Sequence, residues 1–156
     1  MSRKYWVDLT PTAVTVAADL VELTPADDKP IRVLSVNLGQ TTELGDTGEE
    51  ILSLVWVRGH TTSGSGGSAP TPRPAVPTDA AAGFTSEVFN TTAASVGTTV
   101  NLARHGWNVR VGVERPYTPE EAPEASQANT TLILRMSAAP ADSITISGCV
   151  LVEEMG

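Results

Sequence analysis

Short runs of alternating apolar and polar residues recur along the chain, set apart by clusters of Gly, Pro, Asn and Asp. A period of two sends successive side chains to opposite faces and is the mark of a half-buried β-strand. In "WNVRVGVE", Trp107, Val109, Val111 and Val113 share one face and Asn108, Arg110, Gly112 and Glu114 the other. This predicts one continuous strand. Near the end, "SITISGCVLVEE" groups Ile144, Ile146, Val150 and Val152 against Thr145, Ser147, Cys149 and Glu153. Further strands are predicted over Thr12 to Leu23, Ile31 to Leu38, Ile51 to Arg58, Phe84 to Phe89, Thr98 to Leu102 and Thr131 to Met136. About eight antiparallel strands suit an all-β fold, a single jelly-roll or β-sandwich domain over residues 1–156. "TPEEAP" at Thr118 to Pro123 is too short and proline-bounded to carry a helical core face, and "SAAPADS" reads as the turn between the last two strands.

One stretch has no periodicity. Gly59 to Gly83 holds five glycines and four prolines, too little apolar surface to supply a core, so it reads as an extended loop or arm within the domain. A loop of this length is functional or disordered. Its "SGSGGS" half is expected to hinge, and its "APTPRPAVP" half to stay extended. Loop closure depends weakly on length, so removing Ser63 to Pro74 is expected to leave the domain folded.

The same stretch carries the one phosphate-binding pattern in the chain. Gly64 to Ala69 satisfies G-x-G-x-x-[GA] and follows the apolar "ILSLVWV". That fingerprint works by seating a pyrophosphate on a helix N-terminus, and Pro70, Pro72 and Pro74 forbid the helix. No lysine follows Lys29, which excludes a Walker loop, and none of Ser63, Ser65 and Ser68 has the flanking glycines of a nucleophile elbow. No cofactor is expected.

Composition narrows the classes further. The formal charge of −8, with ten basic residues thinly spread, disfavours binding to a phosphate backbone, and no apolar run is long enough to span a membrane. The start, "MSRKYWVDLTPTAVTVAADL", is interrupted by Asp8, Pro11 and Asp19, unlike a signal core, so synthesis in the cytoplasm is expected. Asn90 and Asn129 open N-x-T sequons that read as turn residues. Cys149 has no disulfide partner, and one cysteine with His60 and His105 leaves little for zinc. "DTGEE" at Asp46 to Glu50 lacks ordered calcium-ligand spacing, so no metal is expected.

Catalytic constellations do not emerge either. Asp27-Asp28, Glu49-Glu50, Glu120-Glu121 and Glu153-Glu154 are adjacent pairs, whose members point to opposite faces of a strand, and they read as solvated turns rather than acid–base dyads. His105 in "LARHGW" reads as a turn residue before the Trp107 strand. Trp56 and Trp107, inside predicted strands, read as core or interface, while Tyr5 and Trp6 could stack on a sugar or dock on a neighbouring subunit. No enzyme is expected.

The pieces "RVLSVNLGQTTELGDTGEEILSLVWVRGHTTSGSGGSAPTPRP", "FNTTAASVGTTVNLARHGWNVRVGVE" and "LRMSAAPADSITISGCVLVEEMG", in that order from Arg32 to Gly156, resemble a family of small virion structural proteins of tailed bacteriophages and prophages. The resemblance implies a capsid decoration or cement protein, made in the host cytoplasm and carried on the virion surface. Its expected partners are the major capsid protein and copies of itself in a homotrimer, with no nucleic acid and no membrane. A tail or neck adaptor or receptor-binding component, and a carbohydrate-binding β module, are the alternatives. The expected assembly contacts are Tyr5, Trp6, Ser63, Gly64, Ser65, Gly66, Gly67, Ser68, Pro72, Arg73 and Pro74.

Overall fold

A computed structural model describes residues 1–41, 49–126 and 130–156, and among them no helix occurs. Eleven strands are present: β1 (Arg3–Val14), β2 (Asp19–Thr24), β3 (Ile31–Gln40), β4 (Ile51–His60), β5 (Arg73–Pro74), β6 (Thr85–Asn90), β7 (Val100–Asn108), β8 (Val113–Pro116), β9 (Glu124–Ala125), β10 (Thr131–Met136) and β11 (Ile144–Glu154). They form two antiparallel sheets. One runs β5-β1-β11-β3-β8, with β9 also on β3, and the other runs β6-β2-β10-β4-β7.

Setting aside β5, β6 and β9, the remaining eight strands pair first with last: β1 with β11, β2 with β10, β3 with β8 and β4 with β7. This is one long hairpin ribbon, rolled up so that β11 also meets β3 and β10 also meets β4. Except at the ribbon's folded end, where β4 and β7 pair within one sheet, consecutive long strands alternate between sheets, as in a jelly roll.

Alternation along the strands supplies the core. On β1, Tyr5, Val7 and Leu9 are buried while Lys4, Trp6 and Asp8 face out. The β1–β11 register slips between Leu9 and Thr12, where Pro11 has no amide to give the ladder. Trp56, Trp107, Leu54 and Leu134 of the second sheet pack against this interior. Polar ends of the large side chains are satisfied. Trp56 Nε1 donates to the Tyr117 hydroxyl at 2.9 Å, and that hydroxyl lies 2.8 Å from His105 Nε2. The hydroxyl still has its own proton to give, and it donates to His105 where the ring is neutral with Nε2 unprotonated. Burial, helped by the Arg115 charge, pushes the His105 pKa below its ordinary 6.5.

Several expectations need correction. "WNVRVGVE" is not one strand: β7 ends at Asn108 and β8 begins at Val113. The Asn108 side chain accepts the Arg110 amide, its carbonyl accepts the Val111 amide, and Trp107 Nε1 donates to the Val111 carbonyl. Asn favours the first position of such a turn, and local turn chemistry overrides the valine alternation. Thr12 to Leu23 is likewise broken between Val14 and Asp19, because the chain crosses there from one sheet to the other. His105 lies within β7 rather than in a turn.

Gly59 to Gly83 does not project as an arm. It leaves β4, crosses the outer face of the second sheet, and is bridged antiparallel to the returning stretch before β7 at Thr62–Ser95 and Ser65–Thr92. Ser68 bridges Val88 on β6, and β5 then adds to β1. The segment forms a two-chain strap, and its outward chain ends in two residues of added strand. Gly67 lies so close to the Val88 carbonyl that a Cβ there would collide with backbone, and one at Gly64 would sit 2.6 Å from the Thr92 carbonyl.

Two outcomes follow from these contacts. Gly67→Ala is expected to cost about 1–3 kcal/mol through forced backbone displacement. Gly39→Ala, whose Cβ would meet nothing within 4 Å, should be near neutral, and urea melts of the two variants compare them. For His105, the folded state holds fewer protons than the unfolded chain just below pH 6.5, so stability should fall as pH drops through that region. His105→Gln should flatten that part of a stability-against-pH curve.

Candidate functional site

The strap is held by acidic side chains buried on the outward face of the second sheet. Asp19 and Glu22, both on β2, are almost fully buried. Glu22 Oε2 accepts the Gly64 amide at 3.0 Å and the Asn90 side-chain amide at 3.2 Å, and Asn90 Oδ1 accepts the Gly67 amide at 3.2 Å. Asp19 Oδ2 accepts the Ala94 amide at 2.7 Å, while Arg135 bonds both Asp19 oxygens and the Ala94 carbonyl. Both chains of the strap are thus tied down by carboxylates. Val55, Val57 and Ile133 are buried on this sheet apart from the central core.

The same contacts answer whether the glycine loop can cradle a phosphate. The amides of Gly64 and Gly67 already serve Glu22 and Asn90, and Glu87 lies 2.8 Å from the Asn90 amide. A phosphate would have to displace Glu22 and Asn90 from those donors and sit beside the Glu22 and Glu87 charges. A cleft of about 290 Å³ does open between the loop and the β1–β2 connection, lined by Thr12, Val14, Val16, Gly66, Gly67 and Phe89 among others. Among the described residues no charged side chain lines it.

The far end of the insertion is secured similarly. Glu154 Oε2 accepts the amides of Gly83 and Phe84 at 2.7 and 3.2 Å, and Lys29 Nζ stands 3.7 Å from its other oxygen. Beside it, Glu153 pairs with Arg32 at 2.5 Å. Burial pushes the Glu153 carboxyl up, but hydrogen bonds from Arg32 and Ser2 and the nearby Arg32 and Lys4 charges outweigh it and hold the group below its ordinary value. The reading of Glu153-Glu154 as a solvated turn is therefore wrong: the pair lies in β11, one member facing Arg32 and the other closing the loop. Its two carboxylates do not face one point. Among the described residues no three His, Cys, Asp or Glu side chains gather as a metal site would require.

The expected contact residues divide by exposure. Tyr5 is fully buried: its ring meets Phe84 edge-to-face at 5.6 Å and its hydroxyl donates to the Ala80 carbonyl, so it offers nothing to a sugar or a neighbour. Gly64 and Pro72 are buried too. Ser63, Ser65, Gly66, Gly67, Ser68 and Arg73 are exposed and Pro74 half-buried. Trp6 keeps 39% of its surface exposed and stands opposite Arg73 across the β1–β5 pair. The sequon residue Asn90 is buried in the Glu22 network. Asn129 and most of "DTGEE" lie outside the described residues.

Sequence reasoning missed Asp19, Glu22 and Glu154. A signal was present for the first two, an acidic pair inside the otherwise apolar "ADLVEL". A charge within a buried strand needs a partner from elsewhere in the chain.

Removing Ser63 to Pro74 is accordingly expected to destabilise the domain, against the expectation from loop entropy. It would strip Glu22 of its backbone donor and uncover Asn90, a loss of about 2 kcal/mol or more. Chemical denaturation of the shortened chain beside the intact one measures it.

Compared with protein-family models, curated proteins and solved structures, the chain matches none of them.

Proposed function

We propose that this chain is a structural protein of a tailed-phage virion, a decoration protein that adds to a preformed capsid lattice through the major capsid protein and through copies of itself as a trimer. The observation that carries this reading is how the jelly roll spends its long insertion. The segment folds onto the body and strengthens one edge, its loop donors serve internal carboxylates, and the features left facing outward are contact features. These are an exposed Trp beside an arginine and an open edge strand, β7. Jelly rolls serve viral capsids and lectins alike, and the ordered sequence resemblance favours the first. With Tyr5 buried, the aromatic platform of a carbohydrate module reduces at this site to Trp6.

Antibody raised against the chain, applied to particles of the phage that encodes it, is expected to label heads at regular spacing. Label confined to tails would make it a tail or neck component. Unlabelled particles together with a hit on a glycan array would replace the reading with the carbohydrate module.

A further inference from the structure

The two lateral edges of the sandwich are complementary in shape and charge, and we propose that the β5–β1 edge of one copy docks against the β7–β9 edge of the next. This gives a surface to the self-association named above and rests on that reading for its setting on a capsid.

The first edge is basic and apolar. Trp6 is 39% exposed, Val76 just beyond β5 is 52% exposed, and Arg73 and Lys4 point to solvent. Among the described residues Arg73 makes no ion pair, while the nearby Asp79 already faces Arg3 at 3.9 Å. Trp and Arg side by side are the commonest makings of an interface hot spot.

The second edge is apolar and acidic. Among the described residues β7 closes its sheet with no strand outside it, and Val100 and Leu102 are 49% and 36% exposed. Proteins normally blunt such an edge with charge, and Arg104 is the one full charge on β7. Between β7 and the connection to β9 lies a cleft of about 330 Å³, with Leu102 and Ala103 on one side and Glu120, Glu121 and Pro123 on the other. Arg58 also lines it, but its guanidinium is turned to the Glu124 carbonyl at 3.0 Å. Glu124 stands 4.0 Å from Arg32, whereas Glu121 has no ion pair among the described residues.

Strand order puts these surfaces on opposite sides of the molecule: β5 and β6 end the sheets on one side, β8 and β7 on the other. Each copy carries what its neighbour lacks. A chain of net charge −8 repels its own kind at long range, so association requires a local match of Lys4 and Arg73 with Glu120 and Glu121, and Trp6 with Leu102 in the cleft. Contact between two different surfaces is head-to-tail, and it ends in a closed ring or runs on as a filament.

Sedimentation equilibrium of the full chain over a concentration series tests the contact. Wild type should associate; Trp6→Ala, Arg73→Glu and the pair Glu120→Arg, Glu121→Arg should each weaken association at least about tenfold. Thermal melts of the charge variants should be unchanged, since Arg73, Glu120 and Glu121 are exposed; Trp6, partly covered, is read through them. Combining Arg73→Glu with Glu120→Arg and Glu121→Arg should bring much of the association back, as swapped charges meet again. A wild type that stays monomeric, or edge variants that associate as wild type does, overturns the proposal, and so does a charge-swapped chain no better than its parents. Labelling of particles separates this from the wider reading: a chain that associates but is absent from virions keeps the contact and loses the decoration role. One that decorates equally well with Arg73→Glu keeps the role and loses the contact.

Discussion

Two carboxylates on the outward face of an inner strand are the constraint around which the rest of the structure is arranged. Asp19 and Glu22 sit on β2, between β6 and β10, where a charge without partners would cost several kcal/mol. Backbone amides of the insertion and the Arg135 guanidinium supply the partners. The arrangement is reciprocal. The strap covers the carboxylates and adds backbone donors to the bonds they already receive from Arg135 and Asn90, and without the carboxylates a segment of glycine, serine and proline would have little to hold it down.

This explains why the insertion is both poor in apolar residues and ordered in its contacts. Its stability comes from hydrogen bonds to charged acceptors and from close backbone approach, which is stronger per contact than a neutral turn and needs no side-chain bulk. Glycine at 64 and 67 is a steric requirement of that approach. Glu154 repeats the device at the other end, and Tyr5 anchors the same loop from within the core.

The insertion makes the two edges of the sandwich unlike. β5 lies along β1 and Ser68 bridges β6, while β7 keeps its outer backbone open, with aliphatic side chains around it. An asymmetric molecule of this kind is suited to head-to-tail contact, in line with a role in which copies sit side by side on a larger surface.

Much of the fold was legible in the sequence. Period-two alternation located β3 and β11, because a strand packed on one face must alternate, while β4 and β10, buried on both faces, stood out only as short apolar runs between turn residues. It failed at Trp107 to Glu114, where Asn108 turns the chain although the valines keep their rhythm, and between Val14 and Asp19, where only the crossing between sheets demands a break. The glycine–proline stretch was recognisable as special, but its place was not. Whether Gly64 and Gly67 face solvent, a phosphate or a carboxylate depends on Glu22 and Asn90, which lie 42 and 23 residues away in the chain. The all-β class therefore follows from local pattern alone. The strap, the buried carboxylates and the two unlike edges exist only once the ribbon is rolled, because each is a relation between residues that the sequence keeps apart.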